Sequence, residues 1–319
     1  MIFLSAEDCS NLLDPGAVLE GVEEAIRMEH AGTVRWSSPR SMRVAAGEEG
    51  DGRLRVKACA LDANGIMGVR VLLFPGAGAD TRWVLVFDDT TGEPLAVVDE
   101  GWTYPHRSIA SLALMAHRLS GPEVRTVGLI GAGRIARTAV PYVDQLFPGA
   151  SILIASRREE TREVVAAFAR DRYGIEADPV PIEKAVRGAQ VVLACTSATS
   201  AIIDDGWVGS GAVVGSLEPR ECDPLLFDRA DARIVDSREQ LEDELSETFG
   251  SGAHERIDAT MAEVIAGAHP GRTDEGQRIV VLSQGLVSQD VLLAARAYHE
   301  AMARGMGTHI PIPRTIAPA

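Results

Sequence analysis

The spacing of apolar positions changes twice along the chain, and each change marks a different kind of structure. At the start, MIFLS reads as a short strand, and Ser5 followed three residues later by Asp8 is the pattern of a capping box, so a short helix is expected next. Asp14-Pro15 predicts a second helix start, because proline suits the first helical turn; the helix runs through VLEGVEEAIRMEH and stops at Gly32. From Ser41 to Val98 the pattern shortens to β-branched runs, LRVKACAL, GVRVLLF, RWVLVF and PLAVVD, separated by the turn-rich pieces GEEGDG, DANG, PGAGAD and DDTTGEP. Such runs predict an antiparallel sheet, with RWVLVFDDTTGEPLAVVD as one hairpin. SIASLALMAHRLS returns to helical spacing and breaks at Gly121-Pro122, where a domain boundary is expected.

Beyond that break, apolar strands alternate with helical stretches: TVGLIG, IARTAVPYVDQLF, SILIAS, EETREVVAAFARDRYG, QVVLACT, AVVGSL and ARIVDS. This alternation implies a parallel sheet built from βαβ crossovers. The last helix, SQDVLLAARAYHEAMARGMG, is amphipathic and is suited to return to the first domain. The expected fold class is α/β, a doubly wound Rossmann sheet over residues 121–291, with an α+β domain formed by residues 1–120 plus 292–319.

Composition narrows the partners. A chain of 319 residues, 46% hydrophobic and 24% charged, has room for two globular cores. The net charge of −15 opposes attraction to nucleic-acid phosphates or anionic lipid, so neither is an expected partner. MIFLSAEDCSNLL lacks a basic, apolar leader, and no apolar run approaches the ~20 residues of a membrane span, so a cytoplasmic location is expected. The four cysteines, Cys9, Cys59, Cys195 and Cys222, form no C-x-x-C pair and the histidines form no H-E-x-x-H, so neither disulfides nor a metal are expected.

The chemistry begins at VGLIGAGRIA. Gly131-x-Gly133-x-x-Ala136 follows an apolar strand and opens a helix, the context of a dinucleotide fingerprint. Gly131 permits the tight turn, Gly133 lets backbone approach a pyrophosphate, and Ala136 allows close helix packing; Ala132, Arg134 and Ile135 complete the turn whose N–H groups face the phosphates. At the end of the second strand, where an acidic residue would bond a ribose 2′-hydroxyl, the chain has Ser156-Arg157-Arg158. A guanidinium binds a 2′-phosphate, which favours NADP(H) over NAD(H); the alternative is that both arginines are solvated and Glu159 or Glu160 reaches the ribose. By fold logic Thr196, Ser197 and Ala198, and then Gly215 and Ser216, lie beyond strand carboxyl ends on the nicotinamide side, unless they merely end buried strands.

With these elements in order, nearly the whole chain resembles the ornithine cyclodeaminase and mu-crystallin family. The resemblance is carried by DDTTGEPLAVVDEGWTYPHRSIAS, the glycine fingerprint, ADARIVDSREQ and LSQGLVSQDVLLAARAYHEAMARGMGTHIPI. It implies that residues 1–120 with 292–319 bind substrate and dimerise, that 121–291 bind the dinucleotide, and that the protein is a homodimer. It also implies chemistry in which a hydride moves between a nicotinamide and the α-carbon of an amino acid or imine, with Ser283 and Gly285 of the closing segment among the cofactor contacts. A cationic clamp for the substrate carboxylate follows, because misplacement by about 1 Å costs on the order of 100-fold in rate. The candidates are Arg40, Arg70 and Arg107. Arg107 matches the family's helix-start arginine, while Arg70 stands where the family has a lysine and cannot donate a proton near neutral pH.

Departures from the family pattern bear on the substrate. Lys57 stands where ornithine cyclodeaminases carry a glutamate, and Leu217 where they carry an aspartate; Glu218, one residue on, is turned to the opposite face of an extended segment. If Lys57, Arg70 and Arg107 converge, burying three cations without compensating anions is costly, which suits a dicarboxylic substrate. Lys57 directed to solvent along the sheet is the other reading. The expected function is an NAD(P)H-dependent oxidoreductase acting on an imine, amino acid or N-carboxyalkyl amino acid. Arg107, Arg70 and Arg40 hold carboxylate, and Lys57 or Glu218 exchanges the nitrogen proton. The alternatives are an ornithine- or lysine-type cyclodeaminase that recycles its cofactor, and a non-catalytic protein that binds a small ligand and NADPH.

Overall fold

The computed structural model describes residues 1–46, 52–74 and 80–312. They fall into two compact units, one reaching to Tyr104 and resuming at Val287, the other running from Pro105 to Leu286.

In the first unit, β1 (Ile2–Leu4) leads into α1 (Ala6–Leu12) through the expected capping box. Ser5 Oγ accepts from the Asp8 N–H at 3.1 Å, and Asp8 Oδ2 accepts from the Ser5 N–H at 2.9 Å. Asp14 caps α2 (Pro15–Ala31), which ends where Gly32 takes a left-handed φ of 68°. The sheet consists of β2 (Val34–Trp36), β3 (Met42–Ala46), β4 (Gly52–Leu61), β5 (Ile66–Phe74), β6 (Thr81–Asp88) and β7 (Pro94–Asp99), together with β1 and the short strand Thr308–His309. From β3 to β7 the pairing is antiparallel, with β6 and β7 as the expected hairpin, while β1 joins β7 in parallel. The turns expected at GEEGDG and PGAGAD lie almost wholly outside the described residues.

Register decides which side chains are buried, because successive residues of a strand face opposite ways. One face carries the row Lys57, Arg70, Val84, Val98, Leu4 and the row Cys59, Gly68, Val86, Ala96, Ile2. The C-terminal helix Val287–Arg304 contributes Val287, Val291, Leu292 and Ala295 to the core on this face. The approach is so close that a Cβ on Gly68 would overlap the Val291 side chain. The opposite face holds Val56, Val69, Val71 and Leu85 half-buried and leaves Met42, Val44, Met67 and Trp83 exposed.

The division between the units falls inside α3 (Thr103–Leu119). This helix starts five residues before the expected SIASLALMAHRLS, because Pro105 sits in its first turn, where no N–H is required. The second unit then runs through β8 (Thr126–Ile130), α4 (Arg134–Leu146), β9 (Ser151–Ala155), α5 (Glu159–Tyr173), β10 (Ala177–Pro179), α6 (Ile182–Arg187), β11 (Val191–Ala194) and β12 (Val213–Ser216). It continues with α7 (Pro224–Arg229), β13 (Ala232–Val235), α8 (Arg238–Phe249), β14 (Ala259–Thr260), α9 (Met261–Ile265) and β15 (Ile279–Leu282). The strands are all parallel, in the order β10-β9-β8-β11-β12-β15-β13-β14. The α/β class and doubly wound sheet are therefore as expected. The order in which strands are added reverses between β8 and β11, the place where such sheets open a crevice beyond their strand ends. Among the described residues no helix is long and apolar enough to cross a membrane.

Gly68→Ala should force the C-terminal helix off the sheet and cost about 1–3 kcal/mol, the usual penalty of overpacking. Urea denaturation checks this, and an unchanged midpoint would contradict the packing described.

Candidate functional site

The second unit's candidate site is built on Gly131. Its φ of 125° belongs to glycine, its N–H donates to the Ala155 carbonyl at 2.8 Å, and a Cβ there would stand 2.7 Å from the Cys195 carbonyl oxygen. The turn thus needs glycine twice over, for backbone conformation and for contact with the end of β11. Gly133 is different. It is the N-cap of α4, no side chain caps the helix, and nothing lies within 4 Å of where its Cβ would be. Open space in front of uncapped N–H groups at the start of a 13-residue helix suits an anionic group such as a pyrophosphate. Ala136 is wholly buried, while Ala132, Arg134 and Ile135 surround the open position at least partly exposed.

After β9, Ser156 Oγ donates to the Arg158 carbonyl at 2.8 Å and lies 2.9 Å from Thr161 Oγ1. Arg157, Arg158, Glu159 and Glu160 are all exposed. Glu159 faces Arg162 at 3.7 Å, and Arg162 also donates to the Ser156 carbonyl, a cation that the sequence reading did not single out.

At the ends of β11 and β12, Thr196 and Ser216 meet a carboxyl group that sequence reasoning missed. Glu221 Oε1 accepts from Thr196 N and Oγ1 at 2.7 and 2.6 Å, and Oε2 lies 2.5 Å from Ser216 Oγ. Thr196 Oγ1 in turn accepts from Ala198 N at 3.0 Å, while Ser197 sits exposed between them. Gly215 lies within β12, where a Cβ would press on Leu112 of α3. Glu218 is partly exposed and paired with Arg220 at 3.0 Å, and Leu217 continues the strand by donating to the Ala194 carbonyl. Further along, Asp236 Oδ2 accepts from Gly285 N at 2.5 Å and lies 3.5 Å from Ser283 Oγ, holding the segment after β15.

Arg107 belongs to this unit. It is buried on α3, and its Nη1 donates to the Gln284 carbonyl at 3.0 Å, between Ser283 and Gly285. Beside it, His106 Nδ1 lies 2.7 Å from the Tyr142 hydroxyl of α4, and burial pushes the imidazole down to about 4.

The other cations lie in the first unit. Lys57 and Arg70 are directly opposed on β4 and β5, and both are buried, so Lys57 is not directed to solvent. Arg70 Nε donates to Glu100 at 2.7 Å, and its Nη1 lies 3.3 Å from Asp290. Burial alone would depress this guanidinium, but the carboxylates of Asp290 and Glu100 outweigh it and hold the pKa above its ordinary value. The premise of uncompensated cations is thereby corrected for Arg70: Lys57 and Arg70 share their face with two anions supplied by the protein. Arg40 stands apart from this pair, 4.6 Å over the Trp36 ring, whose Nε1 donates to Glu29 at 2.9 Å; Ser288 donates to the same carboxylate at 2.5 Å. Neither Glu100, Asp290 nor Glu29 carries a sequence signal, since each follows from how distant segments pair.

The four cysteine thiols are free and buried, and no cluster of three or more His, Cys, Asp or Glu among the described residues could hold a metal.

A family model for the ornithine cyclodeaminase/mu-crystallin family matches residues 2–305. Alanine dehydrogenase of Archaeoglobus fulgidus is 27% identical over 97% of this chain and 98% of that protein. Ketimine reductase mu-crystallin of Mus musculus is 32% identical over 67% of this chain and 68% of its own. Among solved structures, an archaeal alanine dehydrogenase dimer with bound NAD superposes with a TM-score of 0.87 at 26% identity, covering 98% of this chain and 99% of the other.

Removing one member of a buried ion pair leaves its partner's charge exposed to the low-dielectric interior. Glu100→Ala should therefore cost about 3 kcal/mol, at the lower end of the range because Asp290 remains. Chemical denaturation measures it, and a loss within experimental error of zero would refute the charge balance.

Proposed function

The chain belongs to the ornithine cyclodeaminase/mu-crystallin family, and on that premise we propose that it is an oxidoreductase moving a hydride to or from the α-carbon of an imine or amino acid. The observation that carries this reading is the turn at Gly131 and Gly133, with its open space before an uncapped helix. A bound nicotinamide dinucleotide supplies the hydride donor or acceptor. The second unit binds it, with the N–H groups at the start of α4 facing the pyrophosphate.

NADP(H) is the preferred form. Arg157 and Arg158 are exposed at the end of β9, and Glu159, the nearer acid, is turned to Arg162. A 2′-phosphate gains from those guanidinium groups.

Arg107 holds the substrate carboxylate, for which the planar fork of its guanidinium is suited. Of the two candidates for exchanging the nitrogen proton, Lys57 is preferred, since Glu218 is engaged with Arg220 and partly solvated. The protein's own Glu100 and Asp290 offset the charge of Arg70, so a substrate with a single α-carboxylate suffices.

The functional form is a homodimer joined through the apolar face that carries Met67, Val71, Trp83 and Leu85. A monomer leaves Trp83 43% and Met67 42% exposed on one sheet face, which supports an interface there. The related archaeal enzyme crystallised as a dimer supports a second copy as the occupant.

Assays with NADPH or NADH and a panel of cyclic imines, keto acids with ammonia, and amino acids test the activity. Turnover with net cofactor consumption is expected. Turnover of ornithine or lysine without net consumption would instead make it a cyclodeaminase, and tight cofactor binding without turnover would make it a binding protein. Arg107→Ala should lower kcat/KM by roughly 100-fold while shifting the cofactor Kd by less than about twofold. Replacing Arg157 and Arg158 by Ala should raise KM for NADPH about tenfold more than for NADH. Trp83→Glu should convert a dimer to a monomer in light scattering.

A further inference from the structure

The carboxyl group of Glu221 is wholly buried among oxygen and sulfur atoms, and the count of hydrogens around it fixes its charge. β11 and β12 run side by side to Ala194 and Ser216, after which their chains part. Glu221 returns on a short turn, Pro219–Glu221, and its carbonyl accepts from the N–H groups of Ile202 and Ile203 at 2.9 and 3.0 Å, which seats it between the two strand ends.

Ser216 Oγ is the informative atom. It lies 2.7 Å from the Glu218 carbonyl oxygen, 2.5 Å from Glu221 Oε2, and accepts from the Glu218 N–H at 3.2 Å. A serine hydroxyl has one hydrogen. The Glu218 carbonyl can only accept, and an ionised carboxylate can only accept, so an ionised Glu221 leaves one of two short oxygen–oxygen contacts without a hydrogen. A proton on Oε2 completes the set. Glu221 then donates to Ser216, Ser216 donates to the Glu218 carbonyl, and the Glu218 N–H donates to Ser216. Oε1 keeps both of its donors from Thr196.

We propose that Glu221 is held as a neutral carboxylic acid and serves as a positioning residue, a clip that ties Thr196 to Ser216 and sets the Thr196–Ala198 segment beyond β11.

The surroundings agree. Among the described residues no cation pairs with Glu221, and Arg220 is directed to Glu218 instead. The titratable groups that face it are Glu218, Cys195 and Cys222. The Glu218 carboxylate disfavours a second negative charge, and both thiols are pushed up by burial and by Glu221, so they stay neutral. Burial raises the Glu221 pKa, and the hydrogen bonds from Ser216 and Thr196 offset this only in part.

Linkage gives a sign. The unfolded chain loses this proton above its ordinary value of 4.5, while the folded chain retains it. The folded state is therefore penalised increasingly as pH rises from about 4.5 through the folded pKa. Glutamine has no such proton to lose, yet its carbonyl can accept from Thr196 and its amide can donate to Ser216.

The effect on cofactor affinity rests on the reading of Thr196–Ala198 as a cofactor contact; the protonation does not. Wild type, Glu221→Gln and Glu221→Ala are compared by infrared spectroscopy, by melting temperature from pH 5 to about pH 8, and by NADPH titration followed by fluorescence. A carboxylic-acid carbonyl band at neutral pH is expected in the wild type and absent from E221Q. E221Q should melt at or above the wild type at high pH, with the gap narrowing toward pH 5. E221A should bind NADPH about tenfold more weakly, the loss of roughly one buried hydrogen-bonded group, and E221Q should restore the affinity. A missing acid band, or E221Q as damaged as E221A, overturns the neutral acid. Wild-type affinity in E221A overturns the positioning role. If the wild type itself binds neither NADPH nor NADH, the functional reading fails while the infrared and melting results still decide the state of Glu221.

Discussion

The contact between Gly131 and the Cys195 carbonyl governs the second unit. No side chain fits between them, so the turn after β8 is drawn against the end of β11. Two consequences follow at once. The start of α4 is fixed with its uncapped N–H groups facing open space, and the chain leaving Cys195 must turn away, which brings Thr196 to Glu221. An alanine at 131 would have to adopt a left-handed backbone and displace that carbonyl, so it would disturb the anion site and the clip together. The parallel register from β9 through β12 is what brings these strand ends to one edge.

Buried titratable groups persist in this protein by two opposite means. In the first, charge is kept and balanced: Arg70 retains its proton because Asp290 and Glu100 stand against it, and Asp205 of the second unit keeps its charge against Arg278 and Arg229. In the second, charge is shed: His106 is driven toward the neutral form by burial beside Tyr142, and Glu221 keeps its proton. A desolvated ion costs several kcal/mol unless paired, so these are the two ways a buried titratable group can persist. The distinction matters for chemistry, since a balanced ion pair presents a fixed field to a ligand whereas a neutral acid or imidazole presents only hydrogen-bond direction.

Most of the fold was legible because its periodicities are local. The capping box at Ser5, the α2 stop at Gly32, the β6–β7 hairpin and the strand-helix alternation after Gly121 all follow from residues a few positions apart. What escaped was non-local. β2 and β3 are short, and their place beside β4 depends on pairing across the sheet. IVVL, four buried residues, gives no hint that it lies between β12 and β13 as β15. At the candidate site the glycine turn was readable, since each residue's role is set by its neighbours. Glu221, Asp236 and Glu100 were not, because their significance comes from partners 25, 49 and 30 positions away.

The same non-locality changes the argument about substrate charge. Read along the sequence, Lys57, Arg70 and Arg107 are three cations whose convergence would suit a dicarboxylic ligand. In the fold, Asp290 comes from near the opposite end of the chain to meet Arg70, and Glu100, directly after β7, meets it as well, so the face that Lys57 and Arg70 share carries two anions. Arg107 lies in the second unit, where its hydrogen bond to the Gln284 carbonyl orients the guanidinium. The charge at Arg70 then gives no reason to expect a second carboxylate on a ligand. Discrimination among substrates would therefore fall on the shape and polarity of whatever group the α-carbon bears rather than on its total charge.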